Sequence, residues 1–233
     1  MSALYIVGSP IGNLEDLSFR ALRILKEVDL ILCEDTRVTK KLLDHYGIKT
    51  QTLSYHQHSK LKKVEEIVQL LKEGKNLALI SDAGTPGISD PGNKLVEEVI
   101  NRLRDEVKVI PIPGPSAVTV AASISGFPMD KFIFMGFPPT KRKRKKFFEE
   151  IVESKYPIIF YESPYRIIKT LKELNSFVGD SFFVGDREIV VCRELTKKFE
   201  TTYRGTIKEV IEKINPPAGG KIKGEFVVIV ERK

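Results

Sequence analysis

The sequence predicts an α/β protein of two domains, the first of which is a doubly wound parallel sheet of five strands. Short apolar runs alternate with helical patterns through residues 1–110, the order typical of a parallel sheet with right-handed crossovers. A proline-rich segment at 111–115 then interrupts the pattern, and such segments occur at domain junctions. The remaining strands cluster late in the chain, which favours a mixed sheet with helices. We therefore expect an N-terminal domain over 1–113 and a C-terminal domain over 114–233.

The first domain is built from apolar runs that are each followed by apolar residues at helical spacing. The predicted strands are 4–7, 30–33, 50–55, 77–80 and 107–110. Asn13 is the predicted cap of the first helix, with Asp16 in its first turn. The second helix ends near Tyr46, before Gly47, and the fourth covers 93–104.

The second domain is predicted to begin with a helix of small residues over 116–125. Its predicted strands are 132–134, 157–161, 182–184, 189–192 and 226–230. A basic run opens the helix that extends through Ile151. Thr206 and Glu209 have the spacing of a capping box, which predicts that another helix begins there.

Composition indicates a soluble globular protein, since 42% of the 233 residues are hydrophobic and 30% are charged. No apolar run approaches the roughly 20 residues needed to cross a bilayer, and the N-terminus lacks the pattern of a signal peptide. Cys33 and Cys192 are two lone cysteines, which makes a disulfide framework improbable. We expect a cytoplasmic protein.

The formal net charge of +7 is concentrated in one place. Six consecutive cations supply most of it: Lys141, Arg142, Lys143, Arg144, Lys145 and Lys146. Such a run is either a solvated helix face or a patch that binds a polyanion. Phe147 and Phe148 follow directly, and the rest of the chain is close to neutral, so we expect this patch to bind RNA through its phosphates.

The longest polar loop follows the fourth strand and reads Ser81-Asp-Ala-Gly-Thr-Pro-Gly-Ile-Ser-Asp-Pro-Gly92. It is either an ordinary turn or a ligand loop, because ligands bind beyond the carboxyl ends of parallel strands. Glycine lets the backbone approach a ligand closely, and proline fixes the shape of a loop. Polar clusters also follow other strands, namely Gly8-Ser-Pro10, Glu34-Asp-Thr-Arg37, Glu162-Ser-Pro164 and Arg193-Glu-Leu-Thr-Lys197. This recurrence predicts a ligand site, with a cleft between the domains as its expected place.

Several common sites are disfavoured by missing motifs. The chain has neither GxxxxGK[ST] nor GxGxxG after its first strand, so P-loop and ordinary dinucleotide binding are improbable. His56 and His58 form the only metal-like pair, without carboxylates or thiols close in sequence, and no metal site is predicted. The three histidines lie too close together in the sequence to favour a Ser-His-Asp triad.

These motifs resemble those of one family along nearly the whole chain. The resemblance is carried by six segments: the first strand with Gly8-Ser-Pro-Ile-Gly12, the Glu34-Asp-Thr-Arg37 cluster, the Ser81–Gly92 loop, Pro111-Ile-Pro-Gly-Pro115, Tyr161-Glu-Ser-Pro164 and Arg193-Glu-Leu-Thr-Lys197. The family is the ribosomal RNA small subunit methyltransferase I branch of the tetrapyrrole (corrin/porphyrin) methylase superfamily. Its members methylate a cytidine 2′-hydroxyl in 16S rRNA. Two departures are the density of the basic run and Tyr165, which stands where the branch usually has histidine.

The resemblance implies a homodimer of a two-domain α/β fold, with 16S rRNA or the 30S subunit as its partner. It also implies that S-adenosylmethionine binds in the cleft between the domains. The cofactor contacts that it implies are Pro10, Gly84, Thr85, Ile88, Ser116, Ala117 and Tyr161.

Methyl transfer to a ribose hydroxyl is an in-line displacement that benefits from a general base. The candidates for that base are Glu34, Asp35, Glu162, Glu194 and Lys197, with Arg37 as an orienting group. Each of them is alternatively a structural ion pair or a helix cap. Two other functions stay open at this point: a methyltransferase that acts on a tetrapyrrole, and a non-catalytic RNA-binding module.

Overall fold

The computed structural model describes residues 1–56, 61–179, 187–214 and 220–232. The chain divides into two compact units, Met1–Ser116 and Ala117–Lys233. Each unit is built around one five-stranded sheet. The strand predicted at 182–184 and His58 lie outside the described residues.

The sheet of the first unit is parallel throughout, as the sequence predicts. Its strands are β1 (Ser2–Val7), β2 (Leu30–Cys33), β3 (Thr52–Ser54), β4 (Leu77–Ile80) and β5 (Val107–Ile112). They are ordered β3-β2-β4-β1-β5, and each described pair is parallel. Every residue of β4 is buried, because helices cover both faces of a parallel sheet.

Four helices cover the two faces of this sheet: α1 (Phe19–Glu27), α2 (Thr36–His45), α3 (Leu61–Lys72) and α4 (Asn93–Leu103). Leu25 of α1 and Leu42 of α2 belong to one buried cluster. Val64 of α3 and Val99 of α4 belong to a second cluster. The unit is therefore doubly wound, as predicted.

The cap of α1 differs from the prediction. The side chain of Asn13 accepts a hydrogen bond from the Glu15 amide (3.1 Å) and caps only a short 3-10 turn, Leu14–Asp16. The hydroxyl of Ser18 accepts from the Ala21 amide (3.1 Å) and starts α1. The prediction was wrong here because Ser18 stands immediately before the helix, whereas Leu17 is extended.

The second unit contains a mixed sheet. Its strands are β6 (Ile133–Phe134), β7 (Ile158–Glu162), β8 (Glu188–Arg193), β9 (Thr201–Thr206) and β10 (Phe226–Val230), in the order β6-β7-β10-β8-β9. Among the described pairs, β6 and β7 are parallel and the other three are antiparallel. The helices are α5 (Ala117–Ser125), α6 (Arg144–Glu153), α7 (Ile167–Gly179) and α8 (Ile207–Ile214). Phe148, Phe160, Leu171 and Val228 lie in its buried core.

Two local predictions in this unit have different outcomes. The capping box is confirmed, because the Thr206 amide donates to Glu209 (2.9 Å) and the Glu209 amide donates to the Thr206 hydroxyl (3.3 Å). The helix of the basic run, however, begins only at Arg144. Lys143 has a left-handed backbone (φ +66°), so the first three cations lie in the turn that precedes α6.

Both cysteines are buried and unpaired. Burial raises the pKa of the Cys33 thiol and that of the Cys192 thiol. Among the described helices, none is both long enough and apolar enough to cross a membrane.

Candidate active site

Three loops of the first unit meet at the carboxyl edge of its sheet. The Ser9 amide donates to the Gly84 carbonyl (2.8 Å), and the Gly84 amide donates to the Ser9 carbonyl (3.1 Å). The Ser9 hydroxyl donates to the Ser81 carbonyl (3.0 Å). On the other side, the Gly8 amide donates to the Ile112 carbonyl (3.0 Å). The parallel order of β4, β1 and β5 brings these strand ends together, and ligands of open α/β sheets bind at such an edge.

Glycines make this close approach possible. A Cβ atom on Gly8 would lie 2.8 Å from the Gly114 Cα, and one on Gly114 would lie 2.7 Å from the Gly8 carbonyl oxygen. Gly84 has a left-handed backbone (φ +78°), which side-chain-bearing residues rarely adopt. The loops therefore present bare backbone to one another, and we call Gly8, Gly84 and Gly114 the glycine cradle.

The residues implied as cofactor contacts are divided between the two units. Pro10 follows Ser9 in the first loop, and the Ile88 amide donates to the Thr85 carbonyl (3.3 Å) in the Ser81–Gly92 loop. Ser116 is the last residue of the first unit and Ala117 the first of the second. Tyr161 lies on β7. Their part in binding a cofactor stays a prediction.

Three carboxylates follow β2 and β4 at the same edge. The Asp35 amide donates to Asp82 Oδ1 (3.2 Å). Burial raises the pKa of Glu34, and the negative charge of Asp82 raises it further. Burial also raises the pKa of Asp82. Asp82 had no role in the prediction from sequence, and its nearness to Glu34 arises from the pairing of β2 with β4.

Asp35 differs from its two acidic neighbours. Its carboxylate accepts two hydrogen bonds from the Arg37 guanidinium, at 3.0 Å and 2.6 Å. It also accepts from the Arg37 amide as the N-cap of α2. These hydrogen bonds lower the pKa of Asp35 to about 2, so it is a poor proton acceptor.

Glu162 in the second unit is a buried ion-pair partner. Its Oε1 accepts from the Ser163 amide (2.7 Å) and pairs with Arg166 (2.8 Å), while Oε2 accepts from the Thr170 hydroxyl (2.6 Å). Only 1% of Glu162 is exposed. Both of its oxygens are therefore occupied by neighbours from its own unit.

Glu194 and Lys197 form a second ion-pair network. Lys197 Nζ lies 3.0 Å from Glu194 and 2.7 Å from Glu225. Burial tends to raise the pKa of Glu194, but the Glu225 amide and Lys197 outweigh burial and lower it. Burial tends to lower the pKa of Lys197, but the two carboxylates outweigh burial and raise it. Both groups are thus held in their charged forms.

The two clusters of the second unit lie at one edge of its sheet. Phe226, the first residue of β10, is paired with Glu162 on β7 and with Arg193 on β8. The strands β7 and β8 are both antiparallel to β10, so their carboxyl ends point the same way. The predicted recurrence of polar residues at strand ends therefore yields one polar edge in each unit.

The basic run contains two kinds of cation. Lys141, Arg142 and Lys143 are exposed, as are Lys145 and Lys146. Arg144 instead has a side chain that is only 12% exposed. Its guanidinium donates to Glu173 (2.6 Å), to the Thr170 hydroxyl (2.8 Å) and to the Pro139 carbonyl (2.9 Å).

No cluster of three or more His, Cys, Asp and Glu side chains with the arrangement of a metal site occurs among the residues that the structure describes. His56 lies in the described part of the chain and His58 outside it.

With this geometry established, comparison with known proteins defines the class. A family model of the tetrapyrrole (corrin/porphyrin) methylases matches residues 3–211, and the chain belongs to this family. The cobalt precorrin-4 methyltransferase of cobalamin biosynthesis has the same fold, with a TM-score of 0.68 at 21% identity over 98% of this chain and 94% of that chain. A uroporphyrin-III C-methyltransferase from Thermus thermophilus gives 0.59 at 16% identity, over 99% of this chain and 94% of that one.

The curated relatives carry a more specific name than the family model does. A Thermotoga maritima protein named ribosomal RNA small subunit methyltransferase I is 45% identical over 233 residues, and the match covers all of both chains. Proteins of the same name from Vibrio cholerae and Bacillus subtilis are 47% and 46% identical, over 97% and 99% of this chain and 76% and 75% of theirs. The family resemblance inferred from the motifs is confirmed.

As a member of this methylase family, the protein uses S-adenosylmethionine. The glycine cradle lies at the edge where α/β sheets bind ligands, and its member Gly114 is exposed there, so this edge fits such a cofactor.

Proposed function

We propose that the protein transfers a methyl group from S-adenosylmethionine to the 2′-hydroxyl of a cytidine in 16S rRNA of the small ribosomal subunit. The observation that carries this proposal is the 45% identity, over the full length of both chains, to a protein named ribosomal RNA small subunit methyltransferase I. The exposed cations before and within α6 support an RNA substrate, because phosphate contacts by lysine and arginine dominate nucleic-acid affinity.

In this proposal the residues of the chain hold the reactants in line. S-adenosylmethionine supplies an electrophilic methyl group when bound. The glycine cradle positions the cofactor by its backbone, and alignment of the hydroxyl supplies much of the acceleration. A base must then accept the hydroxyl proton as the new bond forms.

Glu34 is the candidate that best suits this base. Asp35 has a pKa of about 2, and Lys197 is held protonated by two carboxylates. Glu162 and Glu194 accept hydrogen bonds from their own unit. Glu34, by contrast, has a raised pKa, and a base works best when its pKa approaches the working pH.

The test is methyl transfer from labelled S-adenosylmethionine to bare 16S rRNA, to assembled 30S subunits and to a tetrapyrrole. Label in one of the RNA substrates supports the proposal. Alkaline hydrolysis then locates it, because a methylated 2′-oxygen protects the adjacent phosphodiester bond and leaves a labelled dinucleotide. Label that is released in mononucleotides would place the methyl group on the base and contradict 2′-O transfer.

A second candidate function is methylation of a tetrapyrrole. The fold shared with cobalt precorrin-4 methyltransferase favours it, and the carboxylates of a tetrapyrrole are also anionic. Label in the tetrapyrrole alone would support this function over the first. The family resemblance further supports a homodimer, which sedimentation equilibrium would test.

A further inference from the structure

An exposed aromatic ring, that of Phe137, lies in the loop that leads to the basic run. The Met135 amide donates to Ile159 (2.9 Å) and the Tyr161 amide donates to Gly136 (2.9 Å), so the pairing of β6 with β7 continues through Gly136. That glycine then turns the chain in a left-handed conformation (φ +63°). The next residue, Phe137, is 52% exposed.

One side of the Phe137 ring is fixed by other aromatic residues. Its centroid lies 5.4 Å from that of Tyr161, at an interplanar angle of 61°. Tyr161 in turn meets Phe134 at 4.9 Å and 64°. These edge-to-face contacts hold the ring in place, while about half of its surface faces solvent.

Two arginines hold the backbone that carries this ring. Arg166 donates to the Pro138 carbonyl (3.1 Å), and Arg144 donates to the Pro139 carbonyl (2.9 Å). Arg144 is anchored in turn by Glu173 and Thr170. The ring is therefore preorganised, and a preorganised contact loses less entropy on binding.

The surroundings of the ring are positively charged. Lys141, Arg142 and Lys143 are exposed within the same loop. The carboxylates of Glu162 and Glu173 are neutralised by ion pairs with Arg166 and Arg144. An exposed aromatic face in the same loop as exposed cations is a combination that binds single-stranded nucleic acid, since bases stack on the ring while cations contact phosphates.

We propose that Phe137 is a stacking site for an unpaired nucleobase of the RNA substrate, with the adjacent cations contacting its phosphates. The proposal rests on the proposed function for the source of the RNA. Stacking of one base contributes enough affinity for its loss to be measured directly.

The test compares Phe137→Leu with Phe137→Trp for binding to a single-stranded oligoribonucleotide at several salt concentrations. Leucine keeps an apolar side chain but has no aromatic face, so we expect affinity to fall about tenfold. The slope of log affinity against log salt should stay as in wild type, because no cation is removed. Tryptophan should preserve the affinity. The matched control is Phe19→Leu, at an exposed ring beside Arg20 in the first unit, which should bind as wild type does.

A polyanion without bases separates stacking from charge. Polyphosphate should bind to Phe137→Leu and wild type equally. Unchanged RNA affinity in Phe137→Leu, an equal loss for RNA and polyphosphate, or conversion of a dimer to monomers would each overturn the proposal, the last because a second copy would then cover the ring. A thermal midpoint close to that of wild type establishes that the variant is folded.

The outcomes also separate this inference from the proposed function. If wild type methylates no RNA but Phe137→Leu still weakens RNA binding, the stacking site stands and the methylation proposal falls. If wild type methylates 30S subunits and Phe137→Leu has the same KM and RNA affinity, the stacking site falls alone.

Discussion

At the scale of single residues, ion pairs distinguish Glu162 and Glu194 from Glu34 and its neighbour Asp82. Glu162 and Glu194 each accept hydrogen bonds from neighbours in their own unit. Glu34 and Asp82 instead lie near each other with raised pKa values. Carboxylates with perturbed pKa values cluster at functional sites, which favours this edge as the place of the chemistry.

Glu34→Gln tests the proposed base. We expect kcat for RNA methylation to fall about 10²- to 10⁴-fold, the range for loss of a general base, while cofactor affinity stays unchanged. The acidic limb of the pH–rate profile should disappear with it. Glu65→Gln, at an exposed position on α3, is the control. If Glu34→Gln keeps wild-type turnover, another group accepts the proton.

The Glu194–Lys197 pair predicts how stability responds to pH. Glu194 has a lowered pKa, so its contribution is complete above the unfolded value of about 4.3 and is lost as pH falls through the folded value. Lys197 has a raised pKa, so its contribution is complete below about 10.4 and is lost as pH rises through the folded value. When the pH is lowered from 7 to 3, the thermal midpoint should therefore fall less steeply in Glu194→Gln than in wild type. Glu212→Gln, exposed on α8, should follow wild type; a Glu194→Gln curve parallel to wild type would contradict the assignment.

At the scale of elements, the close approach of the loops that follow β1 and β5 depends on Gly8 and Gly114. Gly114→Ala would place a Cβ 2.7 Å from the Gly8 carbonyl oxygen, and backbone on both sides must then shift. We expect the free energy of unfolding to fall by about 2 kcal/mol, and S-adenosylmethionine affinity, measured by calorimetry, to fall with it. Gly74→Ala, which meets nothing within 4 Å, strains only its own turn and should keep cofactor affinity. Wild-type affinity in Gly114→Ala would show that the cradle does not hold the cofactor.

The sequence predicts the interior elements better than the edges. β4 and β10 are continuous apolar runs because neighbours cover them on both faces, and both were located to the residue. β9 was not predicted, because an edge strand with one neighbour tolerates Thr-Thr-Tyr-Arg-Gly-Thr, which has no apolar run.

The candidate site, too, could be predicted from the sequence only in part. Polar residues at strand ends are visible in the sequence, but Glu225, which pairs with Lys197, is separated from it in the sequence by β9 and α8.

At the scale of the whole molecule, the basic run is divided between five exposed cations and one internal anchor, Arg144. Replacing Lys141, Arg142, Lys143, Lys145 and Lys146 with alanine should weaken RNA binding and reduce the salt slope by up to about 3.5, at roughly 0.7 per contact for single strands. Cofactor affinity should not change. An unchanged slope would mean that these cations do not contact phosphates.

Arg144→Ala is the matched variant for that experiment. Because its guanidinium is enclosed by Glu173, Thr170 and Pro139, its removal should lower the free energy of unfolding by about 3 kcal/mol. Lys145→Ala, with a side chain that is 80% exposed, should change it by less than about 0.5 kcal/mol. Equal stability of the two variants would contradict the view that Arg144 is an internal anchor while its neighbours in the basic run are exposed.

The position of β10 has a consequence for how the chain folds as it is synthesised. The five strands of the first sheet are all present once Ile112 has left the ribosome. The second sheet is different, since β10 (Phe226–Val230) lies between β7 and β8 and pairs with both, joining the β6–β7 pair to the β8–β9 pair. Until those residues emerge, β7 and β8 have no strand between them, and their apolar side chains stay available to chaperones. If the units fold in order from the N-terminus, the second unit should therefore complete its sheet only after β10 has been translated.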